Sequence, residues 1–172
     1  LEHDANGQIK KYSYQWVNPE DPLDVRTIET LTTYDPEGNV TRIESDGNVE
    51  EYEFDALGRQ VSVTFNGVTS TTTYDVRGNE VQTTSPDGRV VRTAYDSIGR
   101  VEWRSELHVP GSSTFATKLI YDASDRVISE SRYQNVNFNL VSTGAGKATV
   151  TVSGATTTPI WTDTTAYNQD GT

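Results

Sequence analysis

The stretch TTTYDVRGNEV, Thr71–Val81, sets an aromatic, an acid, two variable residues and a glycine between runs of threonine and valine. Its core returns as YDPEGN from Tyr34, FDALGR from Phe54, YDSIGR from Tyr95 and YDASDR from Tyr121. The leading aromatics Tyr34, Phe54, Tyr74, Tyr95 and Tyr121 stand 20, 20, 21 and 26 residues apart. Partial copies flank the series as HDANGQ from His3 and YNQDGT from Tyr167. Self-similarity at a fixed period is the signature of a repeat architecture, in which each unit buries its apolar surface only against its neighbours.

A second turn signal falls midway through the units at Asp46-Gly47, Asn66-Gly67 and Asp87-Gly88. Both residues of such a pair tolerate the positive φ of a type I′ hairpin turn, so each unit reads as strand, tight turn, strand, wider turn. Val40–Ser45 runs up and Val49–Phe54 runs back. In the wider turn, Asp-x-x-Gly, the aspartate accepts backbone N–H groups that follow it, and the glycine takes the left-handed conformation that ends a type I turn in a bulge. The repeat motif is therefore geometric: Tyr34, Asp35, Gly38; Phe54, Asp55, Gly58; Tyr74, Asp75, Gly78; Tyr95, Asp96, Gly99; Tyr121 and Asp122. The aromatic ends each strand with a flat ring suited to cover the neighbouring hairpin while its hydroxyl stays bonded or wet.

Composition agrees with a thin, repetitive fold. Only 33% of the 172 residues are hydrophobic, and the mean hydropathy is −0.62. Val61, Val63 and Phe65 alternate with polar residues, but Thr69–Thr73 is nearly all hydroxylic, which leaves one sheet face wet. Acids outnumber Lys plus Arg by 25 to 14, a net charge of −11 with no basic cluster. Nucleic acid and anionic membranes are excluded as partners on that ground. Cysteine is absent, which removes disulfides, thiolate metal sites and cysteine nucleophiles. No apolar run reaches the roughly 20 residues of a membrane span, and no signal segment opens the chain. The lack of any methionine suggests a piece of a longer protein.

Tandem x-Y-D-x-x-G-R/N units of this length, from about Asp4 to Tyr133, resemble the YD repeats of RHS proteins, of Tc-toxin B and C components and of teneurins. The resemblance implies an all-β strip of tandem antiparallel hairpins, twisted or forming part of a spiral shell that often encloses a toxic C-terminal polypeptide. It implies a non-enzymatic shell segment, in a protein that is extracellular or of the cell envelope, most typically a bacterial secreted one. Its partners would be other repeats of the parent, a second copy paired through exposed sheet edges, or an enclosed toxin.

The rhythm breaks at three places. Residues 1–133 read as the hairpin array, with proline-broken or long loops near 17–25 and 106–114 that would project from the sheet. Residues 134–166 read as an enlarged hairpin or a small insertion, with strands Ala148–Ser153 and Thr156–Thr162 joined through Gly154-Ala155. Residues 167–172 read as the start of a further repeat. At Asp125 an aspartate stands where glycine is expected, so that turn should differ from the others.

Candidate chemistry is sparse. His108 with Ser112 and Ser113 lacks a Gly-x-Ser-x-Gly elbow, and a lone loop histidine reads as a surface residue. Asp35-Pro36-Glu37-Gly38 resembles the Asp-Pro-x-Gly-Leu self-cleavage signature of RHS proteins, but Asn39 replaces the leucine and the string is in phase as a repeat turn. Neither Asp4–Gly7 nor Asp35–Asn39 supplies the full oxygen pattern of a calcium loop. No catalytic residue, metal or cofactor is expected. Trp16 and Trp161, close to the irregular segments, are the candidate ligand-binding residues, with glycan the ligand for an alternative adhesion module; Trp103 reads as packing.

Overall fold

The computed structural model describes residues 1–144, 147–155 and 158–166. Among them it is all-β, built of antiparallel hairpins, and its backbone contacts divide the chain into Leu1–Thr71 and Thr72–Thr172. The expected repeat at 167–172 lies outside the described residues.

The first unit holds β1 (Glu2–His3), β2 (Ile9–Val17), β3 (Val25–Tyr34), β4 (Val40–Ser45), β5 (Asn48–Phe54), β6 (Gln60–Phe65) and the start of β7 (Val68–Tyr74). Each strand pairs with the next in sequence, so the sheet is a plain meander. The two tight turns are of the expected kind. Asp46 and Gly47 have φ of 49° and 76°, and Asn66 and Gly67 have 49° and 81°. These values identify type I′ turns, whose twist matches that of the strands they join. Of this unit's residues only Ser62 is buried, at 7% exposure. Alternation accounts for that: β3 and β5 mix Thr and Glu with their apolar residues on both faces.

The second unit contains β8 (Glu80–Thr84), β9 (Val90–Tyr95), β10 (Val101–Ser105), β11 (Thr114–Tyr121), β12 (Val127–Gly144), β13 (Lys147–Ser153) and β14 (Trp161–Thr164). Strands β8 to β13 pair in sequence, and Lys147 of β13 meets Tyr74 of β7 in parallel. A real core forms here: Ala116, Val136 and Phe138 are buried, with Trp103, Tyr133, Val150 and Val152 packed around them. Trp103 and Tyr133 lie 5.1 Å apart between ring centroids, so Trp103 is packing.

Five expectations are corrected. The turn at Asp87-Gly88 is not a type I′ turn, because Gly88 has positive φ and Asp87 does not. Gly88 N–H donates to Ser85 O and Ser85 N–H to Arg89 O, the pattern of the wide joint. Pro86 explains it, since proline locks φ near −65° and selects the first central position of a type I turn. The Asp125 turn keeps the common geometry: Asp125 adopts φ of 62°, and its N–H donates to Asp122 O as glycine does elsewhere.

Within the segment 106–114, whose residues 109–113 are exposed, His108 does not project. His108 exchanges both backbone hydrogen bonds with Val90, at 2.7 and 2.9 Å, and is buried at 7% exposure rather than lying on the surface. Last, β13 and β14 do not form a hairpin with each other. Both pair with β12, and β14 begins at Trp161, after Thr158–Ile160 that are not strand, while the expected start at Thr156 lies outside the described residues. Pro159 accounts for the late start, because it cannot donate to a ladder. The expected boundary at 133/134 falls inside β12, which runs unbroken from Val127 to Gly144 with Asn135 at φ 58°.

Candidate functional site

The repeating joint is the most developed constellation in the molecule. Asp75 N–H donates to Asn79 O at 2.9 Å and Gly78 N–H to Asp75 O at 3.2 Å, which closes the type I turn and its bulge. Asp75 Oδ1 accepts the backbone N–H groups of Arg77 and Asn79, both at 2.8 Å, and Oδ2 accepts the Asn79 amide at 2.8 Å. One carboxylate thereby satisfies three donors that a sharp reversal would leave pointing at nothing. Gly78 has φ of 97°, where a side chain would be strained.

The other joints repeat this. Asp55 Oδ1 accepts from Leu57 and Arg59 N–H, Asp96 Oδ1 from Ile98 and Arg100, and Asp122 Oδ1 from Ser124 and Arg126. Asp35 accepts from Asn39 N–H and its amide, and the partial copy at Asp4 accepts from Asn6 and Gln8. The residue four after the aspartate is thus part of the joint. In the arginine versions Nε of Arg59, Arg100 and Arg126 donates to the second oxygen at 2.7–2.8 Å. The consequence is electrostatic. The Arg59 guanidinium holds Asp55 down to about 2. Asp35 is lowered chiefly by the Asn39 amide, and Asp96 and Asp122 chiefly by the backbone N–H of Arg100 and Arg126. Burial pushes Asp75 upward, but the Asn79 amide and the backbone donors outweigh it and its pKa is also lowered.

The tyrosines follow a rule of their own. Tyr34 Oη donates to Ile9 O at 2.9 Å, Tyr95 to Glu80 O at 2.9 Å and Tyr121 to Val101 O at 2.8 Å. Each acceptor lies five residues after the aspartate of the preceding joint, Asp4, Asp75 and Asp96. The aromatic therefore ties the end of a hairpin to its beginning: β3 to β2, β9 to β8 and β11 to β10. Further links run from joint to joint: Arg77 donates to Ser97 O at 2.6 Å, and Arg100 reaches Asp125 Oδ1 at 2.6 Å while its guanidinium lies 4.5 Å from the Tyr121 ring centroid.

The structure does not gather the candidate catalytic groups. His108 Nδ1 faces Glu106 O, and Ser112 Oγ donates to Val109 O, so neither serine is paired with the imidazole. Among the described residues no three carboxylates or imidazoles come together to hold a metal ion. Trp16 is half-buried in β2 opposite Arg26, whose guanidinium lies 5.4 Å from its ring centroid. Trp161 is 51% exposed in β14 opposite Arg132. The loop from Asn18 to Asp24 is stitched by its own side chains, with Glu20 N–H donating to Asn18 Oδ1 and Leu23 N–H to Asp21 Oδ1.

Sequence reasoning named the aspartate, glycine and aromatic of each joint, and the Arg or Asn that follows the glycine, and missed two partners. The carbonyl that receives the tyrosine could not be found, since a backbone oxygen carries no residue identity. Buried Arg92, which donates to Gln82 Oε1 at 2.7 Å and to Phe138 O, had no signal in the repeat at all.

Comparison with known proteins agrees with this geometry. No curated protein sequence matches the chain. Two solved structures are similar to it. One, described as the crystal structure of TcdB2-TccC3-TEV, superposes with a TM-score of 0.60 at 14% identity, covering 98% of this chain and 10% of that one. The other, a Photorhabdus luminescens Tc holotoxin pore with a substituted TccC3 component, gives a TM-score of 0.56 at 14% identity, covering 96% and 10%. The chain spans about a tenth of the length of each. At that identity the likeness speaks for the fold alone. The sequence itself goes further, since residues 1–139 match the family described as Teneurin YD-shell. With its phased Asp-x-x-Gly joints and tyrosine seals, the chain belongs to the teneurin YD-shell family.

Proposed function

We propose that the chain is a wall segment of a shell that encloses a polypeptide cargo, in a protein that acts outside the cell, with no catalysis of its own. The observation that carries this reading is the tyrosine seal. Each ring donates to the carbonyl that opens its own hairpin, so every sealed hairpin is a closed unit and the strip extends by adding such units through the Asp-x-x-Gly joints. Such a wall needs neither a deep core nor a reactive centre, which fits the low apolar content. The matched holotoxin components lend the reading its cargo, because in those assemblies the same fold accompanies a toxin.

The test is limited proteolysis of the full-length protein that contains this segment. Cargo sites should resist cleavage while the wall is intact and become sensitive when Asp75→Ala and Asp96→Ala open two joints. Equal cleavage of the cargo in the intact and opened proteins would overturn enclosure.

A further inference from the structure

In the second unit three aromatic rings lie against cations of the same unit. Lys118 lies 5.2 Å from the Trp103 centroid, Arg132 4.4 Å from Phe115 and Arg100 4.5 Å from Tyr121. The first unit is short of cations. Residues 1–71 hold 14 acids and 5 Lys or Arg, a net charge of −9, whereas residues 72–172 hold 11 and 9, a net of −2. Trp16 is covered there, and its Arg26 is already held by Asp24 through two hydrogen bonds. Tyr12, Tyr14 and Phe65 stay 45%, 44% and 49% exposed, with no cation against them among the described residues.

These rings share one face. Tyr12, Tyr14 and Trp16 alternate along β2, and Tyr14 stands opposite Ile28. Across the sheet, Phe65 stands opposite Glu50. Tyr14, Trp16, Ile28 and Phe65 line a groove of about 460 Å³ together with the acids Asp46 and Glu50 and one cation, Arg26, which Asp24 and the Trp16 ring already engage. Aromatic faces carry negative quadrupole, and an acidic rim adds to it, so Tyr14 and Phe65 lack the cation that the Trp103, Phe115 and Tyr121 rings have. The rungs on β2 repeat every ~7 Å, the spacing of alternate side chains in an extended chain.

We propose that this face binds an extended polypeptide segment bearing Lys or Arg at alternate positions, which supplies the missing cations. A second copy of the chain is a poor occupant, because two surfaces of charge −9 repel. The proposal does not rest on the shell reading, since it concerns a surface measurable in the isolated chain.

The test is calorimetric titration of the chain with an alternating Lys-Gly peptide. Saturable binding should appear and weaken as salt rises. Tyr14→Leu or Phe65→Leu should each weaken it about fivefold, the range of an exposed cation–π contact, while Tyr14→Phe keeps it. Asp46→Asn should also weaken it without loss of fold, since Asn66 holds the same left-handed place in the next hairpin. Glu37→Gln makes the same change in net charge outside the groove and should leave affinity unaltered. Equal weakening by Glu37→Gln and Asp46→Asn would mean diffuse attraction and overturn the site. So would the absence of binding, dimerisation through this face, or displacement of the peptide by a neutral cello-oligosaccharide.

Discussion

A tyrosine hydroxyl is one atom, yet in this chain it holds the two ends of a hairpin together. Tyr95 and Tyr121 donate to the carbonyls that open their own hairpins, so Tyr95→Phe and Tyr121→Phe should each cost about 1 kcal/mol, the net worth of one such bond. Phe54 occupies the same place without a hydroxyl, and by the spacing of the other seals its acceptor would be Val40 O. Phe54→Tyr should therefore stabilise the chain by up to about 1 kcal/mol. Urea unfolding of the three variants checks both directions, and a neutral Phe54→Tyr would show that the spacing does not carry over. Asp125 tests the backbone instead. Its φ of 62° costs any residue with a Cβ, though aspartate less than most, while its exposed pair with Arg100 offsets little. Asp125→Ala should lose about 1 kcal/mol and Asp125→Gly should be neutral or gain. The reverse order would mean that the ion pair governs this turn.

At the level of elements, the hairpins of the first unit were legible because each turn announces itself. Asp46-Gly47 and Asn66-Gly67 have residues that accept positive φ, and the joints have an aspartate and a glycine at fixed spacing. Asp87-Gly88 misled because the same dipeptide fits two turns, and only the preceding Pro86 selects the wider one. The stretch beyond Tyr133 was harder for a different reason. Strand β12 is 18 residues long and serves β11 and β14 along its first half and β13 along its second, pairings that no local signal encodes. Phe138 is 3% exposed within that second half, so Phe138→Ala should destabilise the second unit by roughly 3–5 kcal/mol. Thermal unfolding followed by Trp103 fluorescence reads that loss, and a change within 1 kcal/mol would deny the cluster its role as a core. Of the candidate ligand residues, the sequence marked Trp16 and Trp161 by type and by closeness to the irregular segments; that Trp16 already carries Arg26 depends on a cross-strand neighbour.

For the molecule as a whole, the joints set a pH dependence. Asp35, Asp55, Asp75, Asp96 and Asp122 all have folded pKa values below the ordinary 3.8, and Asp55 sits at about 2. Between those values the unfolded chain binds more protons than the folded one, so the stability they confer is complete above about pH 5 and is lost as pH falls toward 2. Acid should unfold the chain along this slope. Asp55→Asn should flatten it, and an Asp55→Asn protein with an unchanged slope between pH 5 and 2 would sever the link between joint and acid sensitivity.

The 20-residue step between Tyr34 and Phe54 contains two strands, an even number. Excising residues 35–54 would join Tyr34 directly to Asp55 and rebuild a complete Tyr-Asp-x-x-Gly-Arg joint, with chain direction and face alternation both conserved. A gene encoding this strip can thus lengthen or shorten by unequal crossing-over without ever passing through a misfolded intermediate, and the wall's size becomes a trait that recombination can tune.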